Sequence, residues 1–359
     1  RMTSCNWCLR SLMEPNFGMN TRISLPRSRI PWGRLRDTLA ISSGMSMKGE
    51  MDWEMVNTFT FFKLIWGGGI RVQKYRLFRG TSTRAPSFGG SSRVNRAYSV
   101  KILTTPEHAV EWSAQSRLAG RSIGFVPTMG ALHEGHLDLV RRARTENGVV
   151  VCSIFINPLQ FNDAADLARY PVRTTEDRSM LEKAGCDALF SPRKEELFAG
   201  FSPSQYDLGG LDEFWEGPSR PGHFQGVVNV VERLFHFVRP DSAYFGEKDR
   251  QQLHILHSVA DRYRWAERII ACQTVRESDG LALSSRNLRL NASDRSSALA
   301  LVRALRSAAD TAWTNSVSAT IDVGAAVLRN TSGVIPDYFG IAHPETLAPL
   351  SDWGDLSEA

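Results

Sequence analysis

Residues 123–143 read I-G-F-V-P-T-M-G-A-L-H-E-G-H-L-D-L-V-R-R-A. An apolar run, Ile123 to Val126, passes through a Thr-Met-Gly turn to two histidines, His133 and His136, set three apart around Gly135. An amphipathic stretch, Leu137 to Ala143, follows. The pattern predicts a strand over 122–127 whose carboxyl end meets a helix over 134–146. Spacing i, i+3 puts both imidazoles on one face of that helix. A helix N-terminus offers free N–H groups and the positive end of the dipole, which together favour phosphate. An imidazole placed there can donate to an oxyanion developing on a phosphoryl group. Gly135 removes a side chain, so a flat ring such as adenine can approach the backbone, and Gly130 lets the chain leave the strand sharply. Zinc is the rival ligand, but a structural zinc needs four ligands, a catalytic one needs three, and the order H-E-x-x-H is absent.

Outward from this stretch the same alternation continues. Apolar runs at 148–156, 186–190, 241–246 and 268–275 read as strands, and 106–119, 174–184, 225–238 and 249–263 as helices. Strands alternating with helices predict a parallel sheet covered on both faces, and the near-continuous Val/Ile runs suit strands buried on both sides. The expected fold is an α/β, Rossmann-like open parallel sheet, with ligands at the carboxyl ends of its strands. Beyond residue 290 the pattern turns helical, Ala298 to Thr311 and Ile321 to Leu328, and ends in a strand-like Asp337 to Ile341. A smaller appended domain is expected there.

Three further motifs fall at expected strand ends. In Phe245-Gly246-Glu247-Lys248-Asp249, glycine permits a tight turn and Lys248 offers a mobile cation for phosphate. In Leu283-Ser284-Ser285-Arg286, two hydroxyls and a guanidinium suit a triphosphate clamp. In Asn157-Pro158-Leu159-Gln160, two amides suit a small polar substrate carrying hydroxyl and carboxylate groups. Read singly, each is also an ordinary feature: a solvated cap, a Ser-rich connection, an Asn-capped turn. Their shared position at strand ends of one sheet lets them converge on one crevice, which argues for adenylyl transfer.

At this level of detail the chain resembles the pantoate–β-alanine ligase family. The residues that carry the likeness are Pro127 to His136, Phe155 to Phe161, Asp166 to Pro171, Glu216 to Phe224, Phe245 to Asp249 with Gln251 to Leu253, and Asp279 to Asn287, spread over about residues 101 to 350. The resemblance implies a nucleotidyltransferase-type sheet with a C-terminal α+β lid, ATP with Mg2+ as co-substrate, and a homodimer. It implies two steps: the pantoate carboxylate attacks the α-phosphate of ATP, and the amine of β-alanine then displaces AMP from the acyl adenylate. By the same resemblance His136, His133, Lys248 and Arg286 carry the chemistry. Pro127, Met129, Gly130, His133, Gly135, His136, Gly246, Glu247, Lys248, Asp249, Val275, Leu283, Ser284, Ser285 and Arg286 form the ATP site. Gln160 and Gln252 hold pantoate, Asn157 lies near the phosphates, and no residue is a resident metal ligand. The expected organisation is a leader over 1–99, a Rossmann-like ATP and pantoate domain over 100–287, and a lid over 288–359. Related chains continue past the point matching Ala359, so the lid is expected to be incomplete. Val172 intervenes between Tyr170-Pro171 and Arg173, where the family commonly has Arg-Thr directly. The alternative is another H-x-G-H nucleotidyltransferase passing AMP to a phosphate acceptor, which needs more cations than Gln160 and Gln252 supply.

Charge divides the chain. The first 99 residues hold 16 basic and 5 acidic side chains, and the remaining 260 hold 27 and 33. The net +5 therefore belongs to the N-terminal part, and the mildly acidic main body argues against a nucleic-acid footprint. Residues 56–99 contain eight Lys and Arg and no acid, amid Ser, Thr and Gly. That is the composition of a mitochondrial transit peptide, so a cytoplasmic or mitochondrial location is expected. Among the five cysteines, Cys152, Cys186 and Cys272 lie in apolar runs and read as small buried hydrophobes, while Cys5 and Cys8 form a lone C-x-x-C. No apolar run approaches the roughly 18 residues that a membrane helix needs.

Overall fold

The computed structural model describes residues 63–64, 99–161, 164–354 and 356. All of them fall in one compact unit, Asn57–Ala359. The leader expected over 1–99, apart from Lys63, Leu64 and Ser99, lies outside the described residues, as do Cys5 and Cys8.

Six strands form one parallel sheet: β2 (Lys101–Leu103), β3 (Ile123–Thr128), β4 (Val149–Ile154), β5 (Ala188–Phe190), β6 (Ser242–Gly246) and β7 (Arg268–Cys272). Their order is β2-β5-β4-β3-β6-β7. A separate two-residue pairing joins β1 (Lys63–Leu64) to β8 (Phe339–Gly340) in antiparallel fashion. The strand β2 has no counterpart in the sequence reading. It is three residues long at the sheet edge, with Lys101 and Ile102 exposed, so no apolar run announces it.

Side chains alternate across the sheet and build two cores. Ile123, Phe125, Val149, Val151, Ala243 and Phe245 face one layer, where Trp112 of α1 (Pro106–Leu118) packs. The same layer holds Val227 and Leu234 of α7 (His223–Val238) and Leu256 of α8 (Arg250–Tyr263). Val126, Val150, Cys152, Leu189 and Tyr244 face the other layer. There Leu137 and Val140 of α2 (Glu134–Glu146) and Leu181 of α4 (Thr174–Ala184) cover them. Burial on both faces is why these strands read as continuous hydrophobic runs. Cys152, Cys186 and Cys272 are free and buried, as their apolar settings predict.

The remaining helices are short connectors, α3 (Ala164–Ala168), α5 (Lys194–Leu197) and α6 (Glu216–Ser219), and an antiparallel C-terminal pair, α9 (Ala292–Thr311) and α10 (Val317–Arg329). The strand expected to run to 275 stops at Cys272, and residues 275–283 double back as a hairpin in which Leu283 N–H donates to the Val275 carbonyl at 3.0 Å. Trp215, at φ +57, docks the C-terminal segment: its indole N–H donates to the Leu347 carbonyl at 2.6 Å, and its ring meets Tyr338. No helix among the described residues is long and apolar enough to cross a membrane.

The order in which the chain adds strands reverses between β3 and β6. From β3 the chain winds through β4 and β5 to one side, and from β6 to β7 on the other. Such a switch point leaves a crevice outside the strand ends. Here the backbone widens it. Pairing of β3 with β6 ends at Phe125↔Ala243, although β3 runs on beside β4 to Thr128. The Ile123 carbonyl accepts from Asp241 on the β6 side and the Thr128 carbonyl accepts from Phe155 on the β4 side. Alternation then aims residue 127 at β6. Residue 127 is proline, with no N–H to give, so the ladder has no donor where it stops.

Candidate active site

The loop from Thr128 to His133 emerges at this crevice. Gly130 and Ala131 take φ values of +82 and +49 in succession. A Cβ on Gly130 would stand 2.9 Å from Ile154 and 3.1 Å from Asp177, so glycine is required both by conformation and by space. The loop is held from two sides. Asp177, buried in the first turn of α4, accepts Ala131 N–H and Leu132 N–H at 2.8 Å each. Ser285 Oγ donates to the Ala131 carbonyl at 2.9 Å. Burial lifts the Asp177 carboxyl above the ordinary range even though both amides pull it down. The sequence reading missed Asp177. An acid in a helix's first turn is commonplace, and only the fold shows what it touches.

His133 occupies the cap of α2 but makes no side-chain capping bond. Its ring stacks on His136, with centroids 4.0 Å apart. The Nδ1 atoms of both rings are buried and lack hydrogen-bond partners. Burial, assisted by Lys248, pulls His133 down to about 4. Burial, His133 and Lys248 together pull His136 down to about 3. Both imidazoles are therefore neutral at neutral pH and present N–H donors rather than charge. The His133 ring covers Gly135, lying 3.0 Å from where a Cβ would stand, and Leu283 approaches the same point at 3.7 Å.

The other expected ATP residues surround this pair. Lys248 Nζ lies 3.2 Å from Asp249, and its charge acts on both imidazoles. Asp249 also feels Arg286 and Arg220. Glu247 is turned toward the buried Arg250 at 3.8 Å. Gly246 has φ −76, and nothing lies within 4 Å of a would-be Cβ. Neither turn geometry nor packing demands glycine there, contrary to the tight turn expected from the sequence; the space in front of it is open. Ser284 caps its own turn by accepting Arg286 N–H at 3.2 Å, and Ser285 is spent on the His loop. Arg286 is parked on Asp166 at 2.8 Å, which Arg289 also holds at 2.8 Å, and its guanidinium lies over the Tyr170 ring. Partial burial opposes ionisation of Asp166, but the bonds from Arg286 and Arg289 outweigh it and keep the carboxyl below its ordinary value. Pro127 frames the gap, and Val275 pairs with Leu283 to present the hairpin that carries Ser284 to Arg286.

The expected substrate residues divide. Gln160 points inward, donating to Met129 Sδ at 3.1 Å, and so bridges the loop after β4 to the loop after β3. Gln252 sits half-buried in the first turn of α8. Asn157 is different. It is buried, accepts Leu159 N–H at 3.2 Å, and donates to the Gly226 carbonyl at 3.0 Å and to Gln160 Oε1 at 3.2 Å. A Cβ on Gly226 would stand 2.2 Å from the Leu159 carbonyl oxygen, so α7 lies directly against this turn. Gln251, adjacent to Gln252, is buried and donates to the Leu211 and Phe214 carbonyls at 2.8 Å each.

Comparison with known proteins agrees with this geometry. The family model described as pantoate-beta-alanine ligase matches residues 101–357. A pantothenate synthetase of Thermus thermophilus is 48% identical over 241 residues, 67% of this chain and 87% of that protein. One of Rubrobacter xylanophilus is 44% identical over 263 residues, 71% of this chain and 90% of that protein. Among solved structures, the Thermus thermophilus synthetase matches with a TM-score of 0.65 at 46% identity, covering 71% of this chain and 91% of that one. A Francisella tularensis pantoate-beta-alanine ligase, solved in complex with beta-gamma ATP and beta-alanine, matches with a TM-score of 0.57 at 32% identity, covering 64% of this chain and 86% of that one.

Proposed function

The chain belongs to the pantoate–β-alanine ligase family, and from that premise we propose that it condenses pantoate with β-alanine at the expense of ATP, through a pantoyl adenylate. The observation that carries this reading is convergence. The His133–His136 loop, the Lys248 turn and the Ser284–Arg286 turn come from distant parts of the sequence, and Ser285 touches the first of them while Lys248 acts electrostatically on its imidazoles.

In the first step a pantoate carboxylate oxygen bonds to the α-phosphorus and the bond to pyrophosphate breaks. Negative charge on the non-bridging oxygens is met by N–H groups of neutral His133 and His136 and by the Lys248 ammonium. Fixed donors in a water-poor crevice need no reorganisation as that charge develops, which is where the rate gain lies. Gln160 and Gln252 grip the hydroxy acid, and Arg286, released from Asp166, pairs with the triphosphate. In the second step the amine nitrogen of β-alanine bonds to the acyl carbon as the acyl–oxygen bond breaks, and the electron pair leaves with AMP.

Among the described residues no group of three or more His, Cys, Asp or Glu could hold a metal ion. The family likeness favours Mg2+ on the phosphates of ATP, where it would supply charge neutralisation. The family likeness also favours a homodimer, which light scattering on the purified protein tests. The activity itself is tested by pantoate-dependent exchange of labelled pyrophosphate into ATP, followed by AMP release on adding β-alanine. Exchange that does not require pantoate, or no AMP release with β-alanine, overturns the reading.

A further inference from the structure

The proposed reaction, on which this inference rests, brings a second acid into the crevice. β-Alanine carries a carboxylate two carbons from its amine, and a carboxylate entering beside an acyl phosphate needs a cation that the phosphates do not already use. The phosphate-facing cations are Lys248 and Arg286. Arg289 stands on Asp166 at 2.8 Å and keeps that carboxylate paired when Arg286 turns from it to the triphosphate, and Arg250 is buried against Glu247. Another guanidinium, that of Arg220, lies beside Gln160 and within electrostatic reach of Asp249.

Arg220 follows α6 and precedes α7, and its side chain is 31% exposed. One nitrogen lies 3.3 Å from Glu216 and another 3.4 Å from the Gln160 carbonyl oxygen. Both contacts are long beside the roughly 2.7–2.9 Å of a settled charge-assisted bond. The fork is thus steered but not locked, and it keeps donors to spare out of about five. Tyr338 OH donates to the other Glu216 oxygen at 3.0 Å and draws part of that carboxylate's charge away from Arg220. His223, three residues on, has Nδ1 at 2.7 Å from the same Gln160 carbonyl. A carbonyl only accepts, so Nδ1 carries the proton. Burial, with Arg220 nearby, takes this imidazole down to about 4, and it adds no rival positive charge. Gln160 therefore faces two ways. Its side-chain amide reaches toward Met129 and the reacting loop, and its backbone carbonyl orients Arg220.

We propose that Arg220 is the anchor for the β-alanine carboxylate, paired through the guanidinium nitrogens that Glu216 and Gln160 leave available, so that the amine is directed at the acyl carbon held by Gln160. The subsite takes short ω-amino acids and discriminates against amines that lack the acid group. Glu216 and Tyr338 tie the anchor to the C-terminal segment.

The test separates the half-reactions in the full-length protein. Arg220→Lys, which keeps a cation opposite Glu216, and Arg220→Ala are compared with the unaltered enzyme. Pantoate-dependent pyrophosphate exchange reports adenylation, and AMP release reports use of β-alanine or of 3-aminopropan-1-ol, the same amine without the acid. The expected result is exchange within about threefold of normal, and a KM for β-alanine raised about tenfold to a hundredfold, as loss of a charge-assisted bond predicts. Preference for β-alanine over the amino alcohol shrinks by the same factor. An unchanged KM for β-alanine overturns the assignment, as does an equal loss toward both amines. Loss of exchange in both variants also overturns it, because Arg220 then serves the fold or the adenylation step. Absence of pantoate-dependent exchange in the unaltered enzyme is a failure of the proposed reaction itself, visible before any variant is made.

Discussion

Two strand ends in this molecule look alike in sequence and are used in opposite ways. Beyond β3, Met129 to His136 holds its polar backbone groups firmly and leaves its side chains unsatisfied. Asp177 and Ser285 satisfy the loop's amides and a carbonyl, while both imidazole Nδ1 atoms are buried without partners. Beyond β4, Asn157 to Gln160 spends its most buried amide inward, on Leu159, Gly226 and Gln160. A buried polar atom without a protein partner costs free energy that a ligand or an ordered water returns, whereas a saturated one has that cost already met within the fold. Residue type places both turns among ligand-binding motifs; hydrogen-bond accounting distinguishes the saturated Asn157 from the imidazoles, with Gln160 beside it still turned toward the His loop.

The largest effect should come from the unsatisfied side. His136→Ala should lower the pantoate-dependent exchange rate about a hundredfold or more, since a preorganised donor acts on the transition state. Exchange near normal would remove the imidazole pair from the mechanism. On the saturated side, Asn157→Ala removes the donor to the Gly226 carbonyl and the acceptor of Leu159 N–H and should cost about 1 kcal/mol of stability in urea unfolding, with exchange per folded molecule little changed. A selective loss of exchange with normal stability would instead move Asn157 to the ligand.

Acid sharpens the same contrast. His133 and His136 titrate at about 4 and about 3 in the fold, below an ordinary imidazole. Between roughly pH 6.5 and 3 the unfolded chain binds more protons than the folded one, so stability is present above that window and is lost as pH falls through it. The midpoint of thermal unfolding should drop across the window, and His133→Asn with His136→Asn should flatten the drop. The smallest effect concerns Gly246, whose surroundings are empty and whose φ is ordinary. Gly246→Ala should fold with an unchanged Tm and raise KM for ATP a few-fold; a lowered Tm would show that glycine serves the turn.

The strands β3, β4, β6 and β7 were legible because burial on both faces writes long apolar runs into a sequence. The His loop was legible because two imidazoles, two glycines and a helix start coincide. What stayed hidden depends on contacts between distant segments. Nothing in the sequence says that Asp177 caps a loop some 45 residues earlier, that Ser285 donates to a carbonyl of that same loop, or that Gly226 is needed for the closeness of a helix to a turn. Arg220 lay inside a motif carrying the family likeness, yet its role needed the fold to show that the neighbouring cations were already engaged. The edge strand β2 escaped notice because three residues with one buried side chain carry no period to detect.

The parting of β3 from β6 at Pro127 has a consequence for how this crevice can change over time. An opening kept by bulky side chains closes or gapes whenever one of them mutates. Here the gap arises from an absent amide hydrogen in the main chain, so its width is largely independent of what lines it. The walls are thereby left free to vary, and new specificities can be tried on a floor plan that stays put.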